Sequence, residues 1–467
     1  MQTFKNFKKE EPSVVLKKEH IPVLLGHVKD NSFLFKKTQN WQINNYPLML
    51  TGSIGSGMSE IIKSLIEQYI INDEGVICIN DFNSITYSEL FSILTNTGKL
   101  SDFYFLNFPG DDYKKTSHSL DPINPMVNDP IYFKKHMGDF GVVFTSILKK
   151  IHFVQEIISV SSLSEIIQLE TLVKIEQEHI YSTPELTQYL DLVGLDKNRN
   201  IDINSKEKHQ VLTEKANCFI DLINSFPEVF KETASVDLDK IFMERKVLLI
   251  SINRMELRDK KLAQILLDQI AFFEKKYSKL DTHLQNIIIE HADQMFFDLN
   301  EYENTQTKNN FVFISRGYQL NQHYQQLVRD TKTHVLMKSY GIEELSPAFK
   351  LHLINSIPVD FNLTSVLNRL SKKEVMNGTT FFMDNPNRLV ADNSISGVIS
   401  KALATLHPGE AIVFAHNTEC NSSAPHDFII NNETKYYVVP LQGNLPFLTR
   451  PEIENIHLVS QPEKRFC

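Results

Sequence analysis

The chain is expected to fold as an α/β protein with a mainly parallel sheet, interrupted by an all-helical insertion. Three observations lead there. Short apolar runs alternate with amphipathic helices before residue 130 and again after residue 236. Between those blocks glycine is nearly absent and helical periods dominate. Three of the 16 glycines, Gly52, Gly55 and Gly57, fall together between an apolar run and a helix.

Residues 1–45 are lysine-rich and read as an N-terminal arm, with short strands around 22–25 and 32–35. Residues 46–51 (YPLMLT) form a strand, and the next helix places Ile61, Ile62, Leu65, Ile66, Tyr69 and Ile70 on one face. Residues 76–79 (VICI) follow as a buried strand, which makes a βαβ unit with a right-handed crossover. Residues 103–108 (FYFLNF) are another strand, and Asn124-Pro125 marks a turn.

In the strand-poor stretch, helices are expected over 157–180, from Thr183-Pro184, and over 207–226. Thr183 is an N-cap with proline in the first helical position. Strands return at 246–252, 286–289, 311–315, 334–338 and 411–415, with a helix over 259–276. The tail from Tyr436 reads as an irregular extension. The units are therefore an arm (1–45), a first sheet block (46–130), a helical insertion (131–235), a second sheet block (236–440) and an extension (441–467).

Composition narrows the function. With 467 residues, 42% hydrophobic and 10% aromatic, the chain can bury a large core. A net charge of −9 argues against a protein that coats nucleic acid. Cys78, Cys218, Cys420 and Cys467 lie too far apart for a zinc site or a disulfide scaffold, which fits reduced thiols. No apolar run reaches the ~18 residues of a membrane span, and the N-terminus lacks the apolar segment of a secretory signal. A cytoplasmic protein is expected, recruited to the inner membrane only by partners.

The stretch from Gly52 to Ser59 fits G-x-x-x-x-G-K-[ST] except that Met58 stands for the lysine. Glycines let backbone N–H groups surround phosphate oxygens, and a helix N-terminus adds partial positive charge. Gly52, Gly55, Ser56, Gly57 and Ser59 are the candidate phosphate-binding residues, with Ser59 able to reach magnesium. The alternative is a glycine-rich turn that holds nothing. A lysine charge ~4 Å from a phosphate is worth roughly 4 kcal/mol at an effective dielectric near 20, so its loss is serious.

A phosphate-loop enzyme also needs acidic groups at the end of a distant apolar strand. The candidate is NIIIEH, with Glu290 for metal and His291 where a glutamate base would stand. An ordinary charged loop after a buried strand is the competing reading. The next strand leads to Arg316, which either binds phosphate or pairs with Glu290 and fills an empty site.

These residues resemble the type IV secretion coupling proteins, the TraD/TraG group, most closely the IcmO/DotL-like branch. Residues 48–62 look like that family's Walker A region, and 75–81 (GVICIND) like its next strand, although Asn80 and Phe82 stand where aspartate and a nearby lysine are usual. Similar segments continue in order at 102–108, 124–126, 207–230, 236–255, 311–325 and 409–414.

The resemblance implies a RecA-like P-loop NTPase core with an inserted all-α domain, working as a ring at a secretion channel. It implies that the all-α domain meets secreted protein substrates or coupling-complex subunits. DNA is a family substrate but is not indicated here. The family's two N-terminal membrane helices are not in this sequence. By position, Met58 replaces the Walker A lysine, Glu290 and His291 the Walker B acidic pair, and Arg316 a glutamine. The expectation is a catalytically degenerate binding or regulatory component, with weak ATP or ADP and magnesium as the only ligand in view. An active but atypical ATPase and a free-standing DNA motor are the alternatives.

Overall fold

The structure is a computed structural model. It describes residues 24–28, 39–42, 47–81, 87–108, 118–153, 162–178, 181–231, 234–253, 256–277, 285–292, 310–315, 327, 331, 333–338, 410–415, 428–429, 435–436 and 439–443. The chain runs β1 (Leu24–Val28), β2 (Gln39–Gln42), β3 (Leu48–Thr51), α1 (Met58–Ile71), β4 (Gly75–Asp81), α2 (Tyr87–Thr97) and β5 (Phe103–Asn107). Helices follow: α3 (Pro130–Met137), α4 (Phe140–Phe153), α5 (Leu163–Ile166), α6 (Leu169–Gln177), α7 (Pro184–Val193), α8 (Ile203–Asn224) and α9 (Leu238–Glu244). The sheet is rejoined by β6 (Val247–Ile252), α10 (Leu257–Tyr277), β7 (Gln285–Ile289), β8 (Asn310–Ser315), β9 (Thr333–Met337) and β10 (Glu410–Ala415). Three short strands follow: β11 (Phe428–Ile429), β12 (Lys435–Tyr436) and β13 (Val439–Gly443).

One sheet has the order β2-β1-β13-β10-β9-β3-β8-β7-β4-β6-β5. The seven strands from β9 to β5 are all parallel. The other four extend it antiparallel. Counting β3, β4, β7, β8 and β9 as strands one to five, the order is 5-1-4-3-2, and the fold is RecA-like. The helices between β5 and β6 leave the sheet and return to it.

Because the central strands are covered on both faces, they read as unbroken apolar runs; β6 and β7 are buried throughout. The sheet divides the core in two. On one side α1 and α2 pack with Leu50, Val76, Cys78 and Ile288. On the other, α9, α10 and the helical unit pack with Met49, Ile77, Ile79 and Ile289. The six apolar residues expected on the inner face of α1 are all buried.

In the helical unit, Thr183 caps α7 by accepting from Leu186 N–H at 3.2 Å, with Pro184 next. Asp202 and Ser205 close a reciprocal capping box on α8. Asp268 of α10 moors the unit to the sheet domain: its carboxylate accepts from Lys135 Nζ at 2.9 Å and Gln264 Nε2 at 2.9 Å, and lies 2.8 Å from His136 Nε2.

Three readings differ from the structure. The expected helix over 157–180 is broken: Gln168 is extended (ψ 137°) between α5 and α6. Leu163, Ile166, Ile167, Leu169 and Leu172 are all buried, so packing of both short helices holds the bend between them. The tail read as irregular from Tyr436 contains β13, which pairs with both β10 and β1. The first arm strand is displaced to Leu24–Val28; the one expected at 32–35 lies outside the described residues, as does part of 157–180.

Candidate functional site

The loop between β3 and α1 stands at the carboxyl edge of the parallel strands, where open α/β sheets place ligands. Its shape comes from backbone. Gly55 (φ 80°) and Gly57 (φ 88°) are left-handed, a conformation costly for any residue with a Cβ. Gly57 is the N-cap of α1 and supplies no side-chain cap, so the first N–H groups of the helix are left for another acceptor. Gly52 has a different constraint. A Cβ there would stand 2.8 Å from Ser56 Oγ and 2.9 Å from Met337 Cβ.

The loop is braced from both sides. Gly52 N–H donates to Ser315 O of β8 at 3.3 Å, and Ser53 N–H donates to the Lys338 carbonyl, just past β9, at 3.0 Å. Ser56 is 1% exposed and its hydroxyl has no hydrogen-bond partner among the described residues. A buried orphan hydroxyl in a ring of backbone donors fits an anion that accepts from it. Met58 opens α1 half-buried, and Ser59 is exposed beside it. Lys63, on the flank of α1, pairs with Glu60 at 2.8 Å.

The second part of the site is the end of β7. Ile289 is level with Phe313 of β8, which is level with Met49 of β3. Glu290 therefore stands level with Leu50, two strands from the loop. It is buried, and its N–H donates to Ile79 O at 2.9 Å. Burial first, and the Glu290 charge second, push the Cys78 thiol well above its ordinary range, so Cys78 is no nucleophile. His291 is buried and left-handed (φ 53°), a strained backbone in the turn after β7. Arg316 lies outside the described residues.

Ser59 and Glu290 are oxygen donors of the type magnesium takes when it is bound mainly through phosphate and water. Among the described residues no three His, Cys, Asp or Glu side chains gather into a metal cage. The loop fits phosphate; any metal would arrive with it.

Two features were not read from sequence. One is a buried polar row: Asn80, Ser251 and Asn107 are register partners across β4, β6 and β5, and Asn80 is next in line to Glu290. Its signal was available, since each apolar strand ends in a polar residue. The other is the brace from Lys338, whose carbonyl accepts from Ser53 N–H and which no local motif marks.

The loop and the strand order define the class, a P-loop NTPase fold. No family model matches the chain, and no curated protein matches it in sequence. Among solved structures it is similar to the bacterial conjugative coupling protein TrwBdeltaN70 in its unbound form, with 10% identity and a TM-score of 0.49 over 86% of this chain and 87% of that one. It is also similar to plasmid coupling protein TrwB in complex with ADP and Mg2+, with 8% identity and a TM-score of 0.48 over 86% of each chain. A third is VirB4 of Thermoanaerobacter pseudethanolicus, with 9% identity and a TM-score of 0.43 over 92% of this chain and 98% of that one. Among the described residues no helix is long and apolar enough to cross a membrane.

Proposed function

We propose that this chain is a catalytically degenerate relative of the coupling ATPases, a binding or regulatory component of a type IV secretion or conjugation system. The observation that carries the reading is a split within the site. The backbone cradle keeps a phosphate-binding shape, with Gly55 and Gly57 left-handed and Ser56 orphaned. The charged side chains that would drive hydrolysis are replaced at Met58, His291 and Arg316. Binding phosphate needs the first set; stabilising the charge of phosphoryl transfer needs the second.

In this reading the helical unit, 131–235, meets secreted protein substrates or coupling-complex subunits. The blocks 46–130 and 236–440 form the nucleotide-binding-like body, flanked by the arm 1–45 and the extension 441–467, in a cytoplasmic protein drawn to the inner membrane by its partners. The resembled family works as a ring, and a ring of this chain alone, a ring mixed with an active paralogue and no ring are the alternatives. The order of family-like segments along the chain supports the secretion context.

The reading is tested by ATP turnover of the purified protein across concentrations that favour oligomers, with background rates expected. A rate of about one per second, abolished by Gly57→Val or Glu290→Ala, would establish the alternative of an active, atypical ATPase. The buried Glu290, two strands from the loop, is what keeps that alternative in play. Co-purification from the native cell should recover coupling-complex subunits; their absence removes the secretion assignment.

A further inference from the structure

We propose that the groove between α8 and the bend at Gln168 binds an extended, unfolded stretch of polypeptide by its backbone. The inference rests on the reading that the helical unit meets a protein, and it names the site and the form of that partner.

The groove comes from the bend. Gln168 is extended (ψ 137°) between α5 and α6, and α8 forms the facing wall. The space between them is about 380 Å3. Along α8, Lys206, Gln210, Thr213 and Asn217 form one stripe at helical spacing. From first to last that stripe rises about 16 Å, the reach of about five extended residues.

The walls offer amides. Gln210 and Asn217 on α8 and Gln168 opposite are exposed, and their side-chain amides make no hydrogen bond among the described residues. Each carries donors and an acceptor, the same kinds of group that every peptide unit presents. Gln168 is also the N-cap of α6 without a side-chain cap, which leaves the N–H of Leu169, in the groove wall, for another acceptor.

The charges at the groove are already matched. Lys206 pairs with Glu170 at 2.8 Å. His209, in the floor, is held between the Tyr189 hydroxyl, 2.8 Å from its Nδ1, and the Ile167 carbonyl. Burial lowers its pKa, so it is uncharged at neutral pH. A nucleic-acid strand is held by free cations and stacking rings. The one lysine here is paired, and no Phe, Tyr or Trp lines the groove. A neutral chain of amides matches it, and peptide grooves draw affinity from main-chain hydrogen bonds. An unfolded segment has those groups to offer, whereas a folded partner has paired them internally.

The test is fluorescence anisotropy of the full chain with three labelled probes. They are α-lactalbumin reduced and capped with iodoacetamide so that it stays unfolded, the same protein with its disulfides intact, and a thymidylate oligonucleotide. The variants are Gln210→Leu/Asn217→Leu, Gln168→Leu and, as a control on α8 outside the groove, Asn204→Leu; all four positions are exposed. Only the unfolded probe should bind, equally well at low and high salt, because the contacts are neutral. The double variant should weaken it by about 10-fold or more and Gln168→Leu by about 3-fold or more, as expected for two and one neutral hydrogen bonds. Asn204→Leu should bind like wild type, and circular dichroism should be the same for all.

Wild-type affinity in both groove variants would overturn the inference. So would equal binding of the folded probe, or a salt-sensitive oligonucleotide that displaces the unfolded chain. No binding of the unfolded probe by wild type, with coupling-complex subunits still co-purifying, would overturn the groove alone. Loss of those subunits with probe binding intact would remove the secretion reading and leave the peptide site.

Discussion

The turn after β3 and the end of β7 lie at the same carboxyl edge of the parallel sheet, but they are built differently. The first is made of backbone: two left-handed glycines, an uncapped helix start and peptide hydrogen bonds to β8 and to Lys338. The second is made of side chains: Glu290 and His291 on a strand whose backbone is otherwise ordinary. Under the proposed function, the backbone part keeps a phosphate-loop shape while the side chains at the β7 end depart from the acidic pair of the resembled family. A shape built from φ/ψ and glycine is tied to the packing of β3 and α1, so losing it disturbs the core. A side chain at a strand end can be exchanged without moving the sheet.

That contrast can be broken by experiment. The largest effect is expected from Gly57→Val, which places a β-branched residue at φ 88°. Phosphate binding should fall about 100-fold or more, in line with the cost of such strain, and helix content by circular dichroism should stay near wild type. Normal binding by this variant would show that the loop does not carry the ligand.

A second effect separates binding from turnover. Met58→Lys alone should raise ATP affinity by about 10-fold or more through one charge-assisted contact and leave turnover at background. Hydrolysis should appear only when Glu290→Asp, His291→Glu and Arg316→Gln are added. Turnover from Met58→Lys alone would mean that the β7 end is still competent.

A smaller effect probes His291. Its left-handed backbone should make His291→Asn the mildest change, His291→Ala worse and His291→Val worst, over a range of about 1–3 kcal/mol in chemical denaturation. Equal cost across the series would mean that the backbone strain is not felt.

The smallest effect lies away from the site and serves as a control. His209 of α8 is buried with its Nδ1 2.8 Å from the Tyr189 hydroxyl. Burial lowers its pKa below the ordinary 6.5, partly offset by a hydrogen bond to the Ile167 carbonyl. The unfolded chain therefore binds this proton first. His209 leaves stability unaffected above about pH 6.5 and costs it as pH falls from there to the lower folded value, where the loss is complete. Denaturation midpoints should decline across that window, and His209→Gln should flatten the decline without altering ATP titrations.

Much of the fold was legible because its determinants are local. Ile61 to Ile70 on α1, the runs in β6 and β7, and the Thr183-Pro184 cap each announce their structure within a few residues. The glycine loop was legible for the same reason. The rest depended on contacts distant in sequence. Nothing near Lys338 says that β9 will lie beside β3 or that the Lys338 carbonyl will brace the loop. The row Asn80–Ser251–Asn107 needed the register of three strands, two of them separated by the whole helical unit. No glycine or proline marks the break at Gln168, and β13 pairs with a strand hundreds of residues earlier.

That last pairing has a consequence for how the molecule is made. Gly26 of β1 pairs with Gly443 of β13, so β1 waits for a strand made hundreds of residues later. At about 5–20 residues per second the interval is some tens of seconds. During it β1 has, among the described strands, only β2 to pair with, and its other edge presents unpaired peptide groups beside a growing parallel sheet. The P-loop half of the sheet has its strands by residue 337, but the sheet's antiparallel flank is sealed only when β13 inserts between β1 and β10. Synthesis of this chain therefore has a late closing step, and a nascent chain stalled before residue 439 carries an open sheet edge as a natural target for chaperones.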